Sequence, residues 1–178
     1  GYFTLPPHTH SSAQHRAPAL CYFDLLAERM QLKVQYQLMP LSRLLKQLAD
    51  NELDMALILA KNPEREQQLI YPQTALFVTY PALAIRTAVT SDLQSFMQRN
   101  HHTVVLRQQA YRSMHFNNFA GRSIILTGDH IAERAIEMLQ KGRADAFYEP
   151  DIYSLQFELQ QHDLIQQFKV LPFEDDLL

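Results

Sequence analysis

Between residues 40 and 65 the chain switches its hydrophobic period once, and that switch limits the folds open to it. In PLSRLLKQLADNELDMALILAKNPER, Leu41, Leu44, Leu45 and Leu48 form the i, i+3, i+4, i+7 apolar stripe of an amphipathic helix. Pro40 suits the first turn, where a missing N–H forfeits no hydrogen bond. Asn51 stands where the helix must stop, and asparagine tolerates the left-handed conformation of a C-terminal cap. Asp54 leads into MALIL (55–59), a run with the length and apolarity of a strand buried on both faces. AKNPER then brings charge to the strand's carboxyl end, the edge at which open α/β sheets bind ligands. A buried scaffold thus carries Lys61 and Arg65 toward a ligand edge.

The same alternation runs through the whole chain. Residues 1–7 read as a strand ending in a proline pair, and 8–18 as a polar loop. Residues 19–31 read as a helix on Leu20, Phe23, Leu26, Ala27 and Met30, and 33–39 as a strand in which Val34, Tyr36 and Leu38 alternate with polar neighbours. A short helical turn follows Arg65. Residues 75–86 form a β-prone segment broken at Pro81, which cannot donate to a central ladder; a strand, a break and a second strand are expected there. Ser91 caps a helix to about residue 99. Strands are expected at 103–107, 123–127, 144–148 and 168–172, and helices over 108–118, from an Asp129 cap to Gly142, and from Glu149–Pro150 to about residue 161. Strand–helix alternation of this kind predicts an α/β architecture with parallel sheets. The local device repeats: a helix ends at Asn51 or Gly142, and a strand near Asp54 or Asp145 follows at once.

Composition removes several classes. With 178 residues, 47% of them hydrophobic, the chain can build one large or two small cores. A net charge of −3 without a basic run lacks the footprint of a nucleic-acid binder, and no apolar run is long enough to span a bilayer. Gly1 is not a natural start, so removal of a leader or an anchor is compatible with the sequence. Cys21 is alone, so no internal disulfide forms. Four glycines in the whole chain argue against glycine-rich phosphate loops, and no cofactor is expected.

Among candidate site residues Arg65 leads, because a guanidinium offers a rigid fork of donors that matches a carboxylate; the plainer reading is a solvated charge beside Glu66. Ala60 and Lys61 share its strand end, and Lys61 also reads as an ordinary surface lysine. Arg107, Gln108 and Gln109 follow a strand and precede an expected helix, whose first N–H groups attract anions; an ordinary polar loop accounts for them equally. Tyr111, Tyr148 and Glu149 fit the wall of a small-molecule site, although tyrosines near strand ends commonly just pack. His8, His10 and His15 share one loop. Imidazole is the commonest metal ligand, but closed zinc sites use four spaced ligands, and no cysteine or carboxylate lies nearby in the sequence. Loop histidines are therefore the expected reading, with no metal and with His8 facing a ligand. No Ser–His–Asp pattern, nucleophile elbow or H-E-x-x-H occurs.

The order of these pieces resembles the bilobed extracytoplasmic solute-binding proteins, in particular the family that binds amino acids and related polar solutes (family 3, type II periplasmic binding fold). The matching pieces are PPH (6–8), P-x-x-R (Pro40, Arg43), L-x-x-N-E-L-D (48–54), P-E-R (63–65), LIYPQTA (69–75) and KGRADAF (141–147). The resemblance implies two lobes, each a mostly parallel sheet flanked by helices, joined by two crossing segments. Lobe 1 is then 1–82 and lobe 2 83–168, with 169–178 as the start of a return to lobe 1. It implies a small polar solute, amino-acid-like or organic-acid-like and able to carry a carboxylate, held in the cleft by Arg65, His8, Ala60, Lys61, Arg107, Gln108, Tyr111, Tyr148 and Glu149. It implies a periplasmic or extracytoplasmic location and a membrane permease or a receptor module as partner, for ABC-type uptake or for sensing. The same fold resembles periplasmic dehydratases of cyclic carboxylic acids, for which Glu149 is the acid at hand; the expected reading is a binding protein and not an enzyme. The chain departs from the family at Asn51, where glycine is usual, and at Ile58 and Ala60, where relatives that grip a carboxylate have small hydroxyl residues. An aspartate that holds an ammonium in such relatives falls near Pro150, with Glu149 as the nearest acid.

Overall fold

The computed structural model describes residues 1–10 and 16–178; the expected loop histidine His15 lies outside the described residues. The chain divides into two compact units, Gly1–Leu76 and Phe77–Leu178.

In the first unit three extended segments meet in parallel pairing. The Tyr2 N–H donates to Gln37 O at 2.9 Å, and Met39 N–H to Tyr2 O at 2.9 Å. On the other side the Gly1 amino group donates to Met55 O at 2.6 Å, and Leu57 N–H to Gly1 O at 3.0 Å. Residues 1–3 thus lie between 37–39 and 55–57. The strands expected over 1–7, 33–39 and 55–59 are shorter than their apolar runs, for local reasons. Leu5 turns back to pair with Thr9. Leu32 and Val34 are exposed, and among the described residues no strand pairs with 32–36. Ile58 takes a left-handed conformation at φ +52, which ends extension at Leu57 and is a strained choice for a β-branched residue.

Two helices flank these segments, α1 (Pro18–Arg29) and α2 (Leu41–Ala49). α2 begins after Pro40 and stops before Asn51, which has φ +58, as its cap position demands. Leu41 and Leu44 from α2 join Phe3, Leu5 and Met39 in the core. A single turn, α3 (Pro63–Glu66), closes the charged loop, with the Asn62 side chain accepting from Arg65 N–H at 2.7 Å.

The second unit is built on β1 (Ala82–Arg86), β2 (Thr103–Arg107), β3 (Arg122–Leu126), β4 (Ala146–Glu149) and β5 (Phe168–Pro172), in the order β3-β2-β4-β1-β5. β3, β2 and β4 pair in parallel, and β1 runs against both β4 and β5. Four strands therefore share a direction, and the sheet is mostly parallel. Side chains alternate between its faces with the period of two. Ala82, Ala84, Val105 and Phe147 meet α6 (Ile131–Gln140) and α7 (Ile152–Gln161) through Ala135, Leu139, Leu155 and Leu159. Leu83, Ile85, Val104, Leu106 and Tyr148 meet α4 (Leu93–Met97) and α5 (Met114–Asn117) through Phe96, Met97 and Phe116. Each fully buried aliphatic or aromatic side chain in these layers contributes on the order of 1.5–3 kcal/mol.

Several boundaries differ from expectation. Asp92, not Ser91, caps α4, accepting from Ser95 N–H at 2.7 Å. Asp129 does not cap α6; His130 precedes it at φ +54, and the Arg134 guanidinium donates to the Thr127 carbonyl at 2.7 Å. No helix spans 108–118. Gln109 is left-handed, Ala110 N–H closes a turn on Arg107 O at 3.2 Å, and Ser113 caps only the single turn of α5. Of the β-prone segment 75–86, only the part after Pro81 is a strand. Before it, Thr79 and Leu178 exchange backbone hydrogen bonds at 3.0 and 2.8 Å, and Phe173 N–H donates to Pro81 O at 2.8 Å.

Candidate functional site

In the first unit the carboxyl end of the 55–57 segment carries the charge that the sequence placed there. Ala60 is the hub. Its carbonyl accepts from Arg65 Nη1 at 2.7 Å and from the Tyr71 hydroxyl at 3.2 Å. Arg65 stands on α3, half-buried; burial lowers its pKa, and Tyr71 and Glu64 act in the opposite direction. Burial raises the Tyr71 phenol. The guanidinium is thus aimed by a carbonyl and a phenol, and keeps its charge in a place that has lost part of its water. Such a group favours an anion more than a fully solvated arginine does. Lys61 is exposed and paired to Glu66 at 2.8 Å. His8 is half-buried, and its carbonyl accepts from Ala19 N–H at 3.1 Å at the start of α1. Its neighbour Thr9 is buried, with its hydroxyl on Phe3 O at 2.6 Å. No cluster among the described residues has the make-up of a metal site.

In the second unit the parallel register of β2 and β4 sets Leu106 opposite Tyr148, so the next residues, Arg107 and Glu149, leave the sheet side by side. They form an ion pair at 3.7 Å, with side chains 14% and 3% exposed. Burial pushes the Glu149 carboxyl up to about 7; Arg107 pulls it down, and Asp151 and Glu158 push it further up. Burial also raises Glu158, with His162 opposing. The Arg107–Glu149 pair lies on the sheet face that α6 and α7 cover, since Val105 and Phe147 share that face.

Tyr148 points to the other face. It is fully buried, stacks on Phe116 with ring centroids 4.1 Å apart, and accepts the Ser113 N–H at 3.0 Å. Its phenol is held well above the usual range, chiefly by burial. Gln108 is exposed, its N–H on Leu126 O at 2.9 Å, and the left-handed turn at Gln109 takes the place of the expected helix start. Tyr111 is half-buried, and its phenol is raised by burial and by Asp176. The structure therefore brings Arg65 and Ala60 together in one unit and Arg107 and Glu149 in the other.

Sequence reasoning did not single out two residues that organise the end of β4. Asp151 is 3% exposed and caps α7, accepting from Tyr153 N–H at 3.1 Å and from the Thr79 hydroxyl at 2.6 Å. An aspartate directly ahead of an apolar helical run is a readable N-cap signal. Thr79 carries no such signal, because its partner lies 72 residues away in sequence.

No family model matches the chain, and no curated protein matches it by sequence. Solved structures do match. An ancestral arginine-binding protein bound to glutamine shares 16% identity at a TM-score of 0.78, over 96% of this chain and 76% of that one. The VFT2 domain of Bordetella pertussis BvgS shares 18% at 0.72, over 95% and 71%. An ancestral amino-acid-binding protein described as a precursor of cyclohexadienyl dehydratase shares 13% at 0.76, over 96% and 75%. No described helix is long and apolar enough to cross a membrane. In its fold, then, the chain is of the α/β kind of the periplasmic amino-acid-binding proteins, with a mostly parallel sheet flanked by helices.

Proposed function

We propose that this chain binds a small polar solute that bears a carboxylate, and that it does so outside the cytoplasm. The observation that carries the reading is Arg65: a half-buried guanidinium, aimed by the Ala60 carbonyl and hydrogen-bonded to Tyr71, at the carboxyl end of a paired segment. The likeness of fold to proteins named for binding amino acids supports it. In this reading the first unit serves as lobe 1 and the second, which carries β5, as lobe 2. His8, Lys61, Gln108 and Tyr111 are the further candidates for solute contact, and Arg107, Glu149 and Tyr148 support the lobe 2 wall from beneath. A solute that binds one conformation of the protein better than another shifts the population toward that state. A permease or a receptor module then reads that state, which makes the output uptake or sensing.

Binding without turnover is part of the proposal. A dehydratase-like reading has the ancestral dehydratase precursor in its favour. It needs an acid that reaches a leaving hydroxyl, whereas Glu149 is 2% exposed and paired with Arg107. Turnover of a cyclic carboxylic acid by the purified protein, lost in Glu149→Gln, would establish the enzyme instead. The test of binding is a thermal-shift screen of amino acids, organic acids and amines. A solute present at about a hundred times its dissociation constant adds roughly 2.7 kcal/mol of stability.

A further inference from the structure

We infer that Ile58 is the positioning residue for Arg65: an elbow, fastened in the core by its side chain, whose left-handed backbone sets the direction of the segment that carries the guanidinium. The use of Arg65 toward a solute rests on the solute-binding reading above; its placement by Ile58 does not.

All of the residues concerned belong to the first unit. Up to Leu57 the chain is tied to its paired neighbour, with Leu57 N–H on Gly1 O at 3.0 Å. Ile58 then takes φ +52. In that region Cβ crowds the following carbonyl oxygen, and a β-branched residue there is an outlier. Such a conformation persists only where the surroundings over-determine it. Here they act at three points. Before the elbow stands the Leu57 hydrogen bond. After it, the Ala60 carbonyl is held by Arg65 Nη1 at 2.7 Å and by the Tyr71 hydroxyl at 3.2 Å. At the elbow itself, the half-buried Ile58 side chain packs against two hydrophobic clusters, one containing Phe3, Met39 and Leu44 and the other Ala17, Leu20 and Leu57.

Beyond the elbow, residues 60–66 hold themselves together. Asn62 Oδ1 accepts Arg65 N–H at 2.7 Å, Lys61 pairs with Glu66 at 2.8 Å, and Arg65 Nη1 reaches back to Ala60 O. These contacts fix the guanidinium within its own loop. The direction of that loop is set where it leaves the paired segments, and the backbone departs from extension at Ile58. An extended Ile58 would carry Ala60 onward along the line of 55–57, at about 3.3 Å for each residue, and the loop with it. Glycine makes a left-handed turn without strain, and asparagine visits it more readily than other residues. Isoleucine makes the same turn at a cost and adds what those residues lack, an apolar branch that ties the elbow to the core.

NMR relaxation of the backbone amides and of Arg65 Nε–H, with no solute present, tests the elbow. In the wild type the amides within 60–66 and Arg65 Nε–H are expected at the order parameter of a rigid backbone, about 0.85, and in Ile58→Gly below about 0.6, while the amides of 1–3 and 37–39 keep their wild-type values. Ile58→Val, which keeps the branched anchor, should match the wild type. So should Leu44→Ala within 60–66, although it removes a fully buried side chain from the same cluster. If Ile58→Gly does not fold, Ile58→Ala supplies the same comparison, since it too loses the anchor. A carboxylic acid that binds the wild type is expected to weaken about tenfold in Ile58→Gly and to bind Ile58→Val unchanged. Rigidity at Arg65 in Ile58→Gly equal to the wild type, or loosening there in Leu44→Ala equal to that in Ile58→Gly, would overturn the inference. The order parameters decide the placement of Arg65, whereas titration of Arg65→Ala decides whether it takes a carboxylate, so the two readings fail separately.

Discussion

Glu149→Gln is the substitution whose effect on stability follows most directly from the structure. The carboxyl is 2% exposed, and its pKa rises from 4.5 to about 7, chiefly by burial. The folded protein therefore holds this proton more tightly than the unfolded chain does. The stability it contributes is fully present below pH 4.5 and is lost as pH rises toward and through 7. A difference of that size, at 1.36 kcal/mol for each pH unit, amounts to about 3 kcal/mol between acid and alkaline conditions. Arg107 at 3.7 Å moderates the loss and does not cancel it, because the net displacement is still upward. Glutamine keeps the shape and removes the ionisation. Melting temperatures of both proteins between pH 4.5 and 8.5 isolate the contribution, since every other titrating group is common to the two. The wild type is expected to lose about 3 kcal/mol relative to Glu149→Gln across that range, or on the order of 10 °C in a unit of this size. Parallel melting curves across the range would refute the reasoning and show that Glu149 stays ionised and well solvated.

Three further expectations rest on packing and backbone. A Cβ at Gly121 would lie 2.3 Å from His102 O and 2.4 Å from Phe119 Cζ, so Gly121→Ala should cost about 1–3 kcal/mol by overpacking in urea unfolding. Thr79→Val removes the hydroxyl that donates to buried Asp151 and should cost about 1–3 kcal/mol; Thr79→Ser should restore most of it, and equal melting of all three proteins would contradict the account. Leu44 is fully buried in the first unit, and Leu44→Ala should cost about 2–5 kcal/mol. That loss should appear first as faster proteolysis within residues 1–76.

The legible parts of the sequence were those set by local periodicity and caps. The stripe of Leu41, Leu44 and Leu45 gave α2, and Asn51 and Gly142 ended their helices at positive φ as expected. Apolar runs flanked by turn residues gave β2 and β5 with their observed limits. The misreadings arose where a backbone conformation broke a good pattern. Ile58 and Gln109 both adopt left-handed conformations that neither residue type advertises, and so ended a strand and replaced a helix. At the site, residue chemistry pointed to Arg65, but its geometry depends on Tyr71 and the Ala60 carbonyl, for which the sequence offers no cue. The Arg107–Glu149 pair was legible only as two candidates. Its burial follows from the parallel register of β2 with β4 and from which face α6 and α7 cover, both long-range outcomes. Tyr148 shows the same limit, since its period-two position sends it into the aromatic layer with Phe116.

The central claim is that Arg65 takes a solute carboxylate, and calorimetric titration of the wild type and of Arg65→Ala with one panel of small carboxylic acids tests it most directly. At least one acid is expected to bind the wild type at micromolar concentration and to weaken about a hundredfold or more in Arg65→Ala, as for a charge-assisted, two-point contact. An acid that binds both proteins with the same affinity would contradict it.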